Sequence, residues 1–273
     1  MTLFSGEPEA TTQIAAVASI APFRLGLTAT PERADGLECL YPDLIGPVVY
    51  RREIKQLAGD FLAEYVTDRL YVQLAPDELE RYTQCRELYR TFLAERGISL
   101  ASQHGLQRFI QESCRSADGR AAFNAFREQR RLAQAAPAKL DLLAKLLVKH
   151  RGERTLIFTA DNATVYRIAR QFLVPAITHQ TKTKERRAIL QAFHVGEYNV
   201  LVTSQVLNEG VDVPAARVGI VLSGTGSVRE HVQRLGRLLR KYEGKQAVLY
   251  EVVARGTAEE YTSDKRRQHH AYK

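Results

Sequence analysis

Leu201-Val202-Thr203-Ser204-Gln205-Val206-Leu207-Asn208-Glu209-Gly210-Val211-Asp212 and, farther on, Gln233-Arg234-Leu235-Gly236-Arg237-Leu238-Leu239-Arg240 decide how this 273-residue chain is read. The first segment is an apolar strand running into a loop rich in hydrogen-bonding side chains, with one glycine, Gly210, where backbone must come close to something. The second reads as a helix end. Ser227 followed three residues later by Glu230 is a capping box that starts this helix, and Val228, Val232, Leu235 and Leu239 form its core-facing stripe. Gln233, Arg237 and Arg240 then fall at i, i+4 and i+7 on another face. Two guanidiniums one turn apart, away from the core, suit a ligand with spread negative charge such as a nucleoside triphosphate. The planar fork of Arg matches that ligand better than the point charge of Lys.

In this order and spacing, the two segments resemble the second motor domain of superfamily 2 helicases. The stretch from Ile177 to Gly256 is most similar to the XPB-type DNA helicases and translocases. The arginine pair alone says little, because a basic stripe on a helix is commonly a solvated face.

Length and composition fit this resemblance. The chain can hold one large domain or two small ones, and 45% hydrophobic residues supply the apolar surface for a core. A net charge of +8 favours an anionic partner such as nucleic acid. Cys39, Cys85 and Cys114 are isolated, with neither a CxxC pair nor metal-ligand spacing, so they read as buried or inert thiols of a reducing cytoplasm and no metal site is expected. No apolar run approaches a membrane span, and Glu7 and Glu9 interrupt any signal-peptide pattern.

Outward from the two motifs, strand and helix patterns alternate. Thr155-Leu156-Ile157-Phe158-Thr159 is a continuous apolar strand of the kind buried on both faces of a parallel sheet. Helices are predicted at 162–173 and 184–193, strands at 176–178, 199–203, 217–222 and 246–252, and a capped helix from Thr257 with Glu260. The pattern predicts an α/β fold with a doubly wound parallel sheet, as in a RecA-like helicase C-terminal domain, carrying a helical insert. Ligands gather at the carboxyl ends of such strands, which puts Thr159, Thr178, Ser204 and Gly224 along one rim.

Earlier in the chain, Ile14 to Ile20 reads as a short apolar helix. Phe23-Arg24-Leu25-Gly26-Leu27 reads as a buried strand that ends in Thr28-Ala29-Thr30-Pro31. Alone, that tetrad is a Pro-punctuated turn whose hydroxyls satisfy local backbone. Ahead of the two later motifs it resembles the helicase motif that closes the first motor domain and couples nucleotide state to nucleic-acid grip. Arg33-Ala34-Asp35 resembles an Arg-Glu-Asp signature with Ala34 in the place of the Glu, which leaves Arg33 and Asp35 available. Residues 1–50 are therefore expected to be the end of a first motor domain and 51–75 a linker with a strand at 69–74. Residues 76–136 are expected to form a thumb-like helical insert punctuated by Gly97, Gly105 and Gly119, and 137–273 the second motor domain. Arg127, Arg130 and Arg131 on the last helix of the insert fit either a phosphate backbone or solvent.

The resemblance implies roles for single residues. Arg237 and Arg240 would be arginine fingers reaching a triphosphate held by a first motor domain, while Gly210 and Asp212 approach the nucleotide and Gln233 links the two functions. Thr159, Thr181 and Ser204 would meet the DNA backbone, where hydroxyls position without reading sequence. Gln205 fits either side, and Thr28, Thr30, Arg33 and Asp35 would couple the domains. For Asp212 a turn start before Pro214 competes, and for Ser204 local loop satisfaction.

The sequence carries no GxxxxGK[ST] loop and no two adjacent acidic residues ahead of Thr28. Asp77-Glu78-Leu79-Glu80 comes after Thr28 and reads as a helix start. The implied cofactors, ATP and Mg2+, would thus be bound mainly by a first motor domain supplied by another segment or an upstream product. The chain alone is expected to be inactive. The function implied is the C-terminal half of an ATP-dependent DNA helicase or translocase in DNA repair or transcription. A non-catalytic DNA-binding or regulatory remnant is the alternative.

Overall fold

The structure is a computed structural model that describes residues 23–27, 37–51, 64–100, 102, 104–204, 216–224 and 246–267. The chain divides into two compact units, residues 1–53 and 54–273.

In the first unit, the described part holds a 3-10 turn at Leu37–Leu40 and a single helical turn at Tyr41–Leu44. Residues 23–27 do not form the expected buried strand. They have no regular structure, and Phe23, Leu25 and Leu27 are 91%, 78% and 87% exposed. A strand needs a neighbour for its backbone groups and a cover for its side chains, and among the described residues of this unit neither is present. The expected helix at 14–20 lies outside the described residues.

Among the described residues of the second unit, six strands form one parallel sheet: β1 Glu64–Val72, β2 Thr155–Phe158, β3 Ala176–Ile177, β4 Val200–Thr203, β5 Val218–Val221 and β6 Gln246–Ala254. Their order across the sheet is β1-β6-β5-β2-β4-β3. Helices Pro137–Lys149 (α4) and Asn162–Phe172 (α5) cover one face, and Thr183–Val195 (α6) covers the other. Alternation along β2 explains this: Ile157 joins Leu143, Leu146, Val165 and Ile168, whereas Leu156 and Phe158 point oppositely, to Ile177 and Phe193. The doubly wound parallel sheet expected from the sequence is therefore present.

The strand expected at 69–74 is longer and earlier. It spans Glu64–Val72 and pairs along its whole length with β6, from Glu64 opposite Gln246 to Val72 opposite Ala254. Its polar positions Asp68 and Arg69 dilute the apolar signal, and β6, not its own pattern, sets its extent.

Between β1 and α4 the described residues form three helices, Pro76–Glu95 (α1), Gly105–Cys114 (α2) and Ala117–Gln134 (α3), with a separate core. Phe109 is fully buried at its centre, 5.6 Å from Phe126 at 84° and 5.6 Å from Phe123, and Tyr89 meets Phe126 edge-on at 5.3 Å. Pro76 opens α1 and the Glu78 carboxylate reaches back to the Ala75 amide. Ser116 caps α3 by accepting from the Gly119 amide at 2.9 Å. Gly119 does not break a helix but lies inside α3. A Cβ there would sit 2.8 Å from Ser113 Cα, so the α2–α3 approach requires glycine. Of the basic residues on α3, Arg131 is paired with Glu128 and Arg130 lies over Phe126. The three cysteines are free, and Cys39 and Cys114 are exposed rather than buried.

A last helix, Ala258–Arg267 (α7), is anchored at both ends. The Thr257 hydroxyl donates to Ala254 O and accepts from the Glu259 amide. Near the C-terminal end, the buried Arg266 guanidinium donates to Glu251, itself 2% exposed in the middle of β6. Among the described residues, no helix is long and apolar enough to cross a membrane, and no cluster of three or more His, Cys, Asp or Glu could hold a metal.

Candidate functional site

The carboxyl ends of β2, β3, β4 and β5 bring Thr159, Thr178, Ser204 and Ser223 to one edge of the sheet. All four are buried, and hydrogen bonds link the strand ends. The Thr159 amide donates to Thr203 O at 3.0 Å, the Ser204 amide to Ile177 O at 3.4 Å, and the Ala160 amide to Ser223 Oγ at 2.9 Å. Thr159 is fully buried and its hydroxyl donates to Asp161 O at 3.0 Å, so here it holds its own loop. Asp161 in turn caps α5, its two carboxylate oxygens accepting from the Thr164 amide and hydroxyl at 2.8 Å each.

After β3 the chain makes a tight turn. The Thr178 amide donates to Thr181 Oγ1 at 2.9 Å and the Thr181 amide to Thr178 O at 3.1 Å. Arg186 of α6 braces the turn from below, with Nη2 3.3 Å from Thr178 O, while its Nε is buried without a hydrogen-bond partner among the described residues. Exposed on the outer side are His179, Gln180 and Tyr166. Asn162 Nδ2 lies 3.0 Å from His179 Nδ1, and the Tyr166 hydroxyl donates to Gln180 at 3.2 Å and meets Thr178 Oγ1 at 3.1 Å. This polar surface, with an aromatic ring and with Lys182 and Lys184 exposed beside it, was not singled out from the sequence. Only the position of these residues directly after a strand or at a helix start could have suggested it.

Behind the rim lies a buried charge. Lys139, at the start of α4 and 1% exposed, places Nζ 2.6 Å from Leu222 O and 2.6 Å from Glu259 Oε2. Burial pushes its pKa down, and the Glu259 carboxylate opposes that shift. Glu259 Oε2 also accepts from the Ala254 amide at 3.0 Å. One residue earlier, the Ala258 amide donates to Tyr82 of α1 at 2.8 Å.

Of the residues singled out in the sequence, the structure brings Thr159, Thr181 and Ser204 to the same rim. Thr28, Thr30, Arg33, Asp35, Gln205, Gly210, Asp212, Gln233, Arg237 and Arg240 lie outside the described residues. The segments that carry the last six begin directly after β4 and β5, the two strands that flank β2.

Residues 138–242 match the helicase conserved C-terminal domain family. Over 247 residues the chain is 42% identical to the DNA 3'-5' translocase XPB2 of Sulfurisphaera tokodaii, covering 90% of this chain and 56% of the relative. It is 32% identical to the DNA 3'-5' helicase XPB of Mycobacterium tuberculosis, covering 89% of this chain and 38% of the relative. The chain thus spans about half the length of the first relative and less of the second. Among solved structures, it is similar to the C-terminal part of the Fun30 ATPase domain, with a TM-score of 0.54 and 11% identity over 74% of this chain and 89% of that one. It is also similar to the SWI2/SNF2 ATPase core of Sulfolobus solfataricus in complex with dsDNA, with a TM-score of 0.53 and 14% identity over 83% and 49%. At these identities the structural likeness concerns the fold alone.

Proposed function

The chain belongs to the XPB-type superfamily 2 proteins as their C-terminal part, and from this premise we propose that it is the second motor half of an ATP-dependent DNA helicase or translocase. In this reading it works in the cytoplasm, in DNA repair or transcription, with the 3'-to-5' direction that its relatives' names carry. The observation that supports it best is that β4 and β5, the strands on either side of β2, end beside it at one rim, and that in sequence the chain runs on from these two ends into the stretches that hold 205–212 and 233–240. Ligands of parallel α/β sheets gather at such carboxyl ends.

The division of labour rests on the residues present. ATP and Mg2+ would be held mainly by a first motor domain, because the described residues offer no carboxylate cluster for the metal and the sequence no phosphate-cradling loop. Arg237 and Arg240 would supply positive charge to the triphosphate from across the cleft, Gly210, Asp212 and Gln233 would border the nucleotide, and Thr28, Thr30, Arg33 and Asp35 would link the domains. DNA would pass along the rim. There Thr181, Ser204 and Gln205 would meet its phosphates without reading sequence, beside the loop after β2 that the Thr159 and Ser223 hydroxyls hold in place.

The test is reconstitution. Purified alone, the chain should show no DNA-stimulated ATP hydrolysis, and mixed with a separately produced first motor domain it should. Arg237→Ala and Arg240→Ala should each lower turnover of the mixture by about 10³-fold or more, with Lys a poor substitute for either. DNA binding without turnover in the mixture would instead favour a non-catalytic, regulatory role. Turnover that survives both Ala substitutions would sink the finger assignment.

A further inference from the structure

We propose that Lys139 and Glu259 form a buried positioning pair. It locks the exit of β5 to the junction where the helical insert meets α7, and so sets the stance of the rim at which β2 and β5 end. Its effect on turnover rests on the motor reading of that rim.

The geometry is a relay of short bonds that links α1, α7, β6 and α4 to the exits of β5 and β2. Tyr82, from the first helix of the insert and 1% exposed, accepts from the Ala258 amide. The next residue, Glu259, gathers the Ala254 amide at the end of β6 and the Lys139 ammonium. Lys139 passes the restraint to Leu222 O, the first carbonyl after β5. The adjacent Ser223 hydroxyl then holds the Ala160 amide in the loop after β2. Every member lies within one or two residues of a strand end or a helix start, apart from Tyr82 inside α1.

A lysine is an expensive way to fill such a place. Its ammonium is desolvated, and a buried ion pair often stabilises no more than apolar side chains of the same volume. What an ammonium adds is direction: it gathers two acceptors, from chain positions far apart, onto one nitrogen. Leu222 stands directly before Ser223, whose hydroxyl holds the Ala160 amide, so an error in the placement of its carbonyl is passed on to the rim. The insert is thereby connected to the nucleotide side of the rim through polar contacts in addition to packing.

The test has two arms. In the first, amide hydrogen exchange is measured on the whole chain for Lys139→Met, with Leu143→Ala as a control that weakens the core of the same helix. The proposal expects exchange at Ala160 and Ala254 to quicken on the order of tenfold in Lys139→Met, while Ile157 in central β2 stays protected. Leu143→Ala should instead shift all three amides together. If Ala160 and Ala254 do not change in Lys139→Met, or change only in step with Ile157, the pair is ordinary packing and the proposal is overturned.

In the second arm, the reconstituted motor is assayed. Lys139→Met should lower kcat on the order of tenfold, with KM for ATP and DNA affinity nearly unchanged. Glu259→Gln, whose amide oxygen can still accept from Lys139 and Ala254, should retain more turnover than Glu259→Leu. An unchanged kcat in Lys139→Met, or a loss carried by KM, overturns the proposal. If even the unsubstituted mixture hydrolyses no ATP, the motor reading is what fails, and the exchange arm still decides whether the pair positions the β5 exit.

Discussion

The Tyr82 hydroxyl accepts a hydrogen bond from the Ala258 amide at 2.8 Å although 176 positions separate the two residues. It therefore ties the first helix of the insert to the first turn of the last helix. Arg86 donates to the same oxygen at 2.9 Å, so the hydroxyl sits between a helix start and a cation.

Replacing Tyr82 with Phe keeps the ring and removes the acceptor. The Ala258 amide is part-buried and loses its partner, so stability should fall by about 1 to 2 kcal/mol. Urea unfolding should show a lower midpoint at an unchanged slope. An unchanged midpoint would mean that water replaces the hydroxyl and that the link is incidental.

Glu128 gives the insert an acid-sensitive contact. Hydrogen bonds from Arg131, at 2.7 and 2.8 Å, hold its carboxyl below the ordinary value of 4.5, with Arg81 adding to the effect. A carboxylate with a depressed folded pKa contributes stability that is fully present above its unfolded pKa and is lost as pH falls through the folded value. Melting temperature followed from about pH 7 down to about pH 3 should decline less steeply in Glu128→Gln than in the unsubstituted chain. Parallel curves would refute this assignment.

Glu251 and Arg266 are both nearly buried and bind each other, with Arg267 Nε 3.3 Å from the same carboxylate. Removing one member leaves the other charge buried without this partner. Arg266→Leu or Glu251→Leu alone should therefore destabilise by about 3 kcal/mol, and the double substitution by less than the sum. Strict additivity in the double-mutant cycle would show that the pair does not interact energetically.

The fold was legible where one physical signal dominated. Thr155–Phe158 and Val200–Thr203 are short apolar runs buried in the sheet, and such runs are found without any knowledge of their neighbours. Phe23–Leu27 looks the same on paper and is exposed, because a strand is a relation between segments and its pattern does not say whether a partner is present. The rim hydroxyls Thr159, Thr178 and Ser204 were legible as strand ends. Lys139, Glu259 and Tyr82 were not: on a helical wheel each passes for a solvated or core position, and only the approach of four distant elements gives them a common purpose. The same holds for Asn162 and His179, which face each other across a strand exit.

DNA affinity offers a check on the charge of the whole chain. With a net charge of +8 and no base-reading motif in view, binding should be independent of sequence. It should weaken steeply with salt, with a logarithmic slope of about −0.9 for each phosphate neutralised. A flat salt profile in a fluorescence titration would contradict an electrostatic footprint.

The pairing of β1 with β6 has a consequence for how the molecule comes into being. Glu64–Val72 leaves the ribosome before the other described strands of the sheet, yet the strand it pairs with, Gln246–Ala254, is made after all of them. Until then, nine residues of extended backbone wait with both edges unpaired, and the intervening helices can fold on their own core while the sheet stays open on that side. Closure of this long loop should set the pace of refolding, and a nascent chain halted before residue 246 should be the species most prone to join its neighbours.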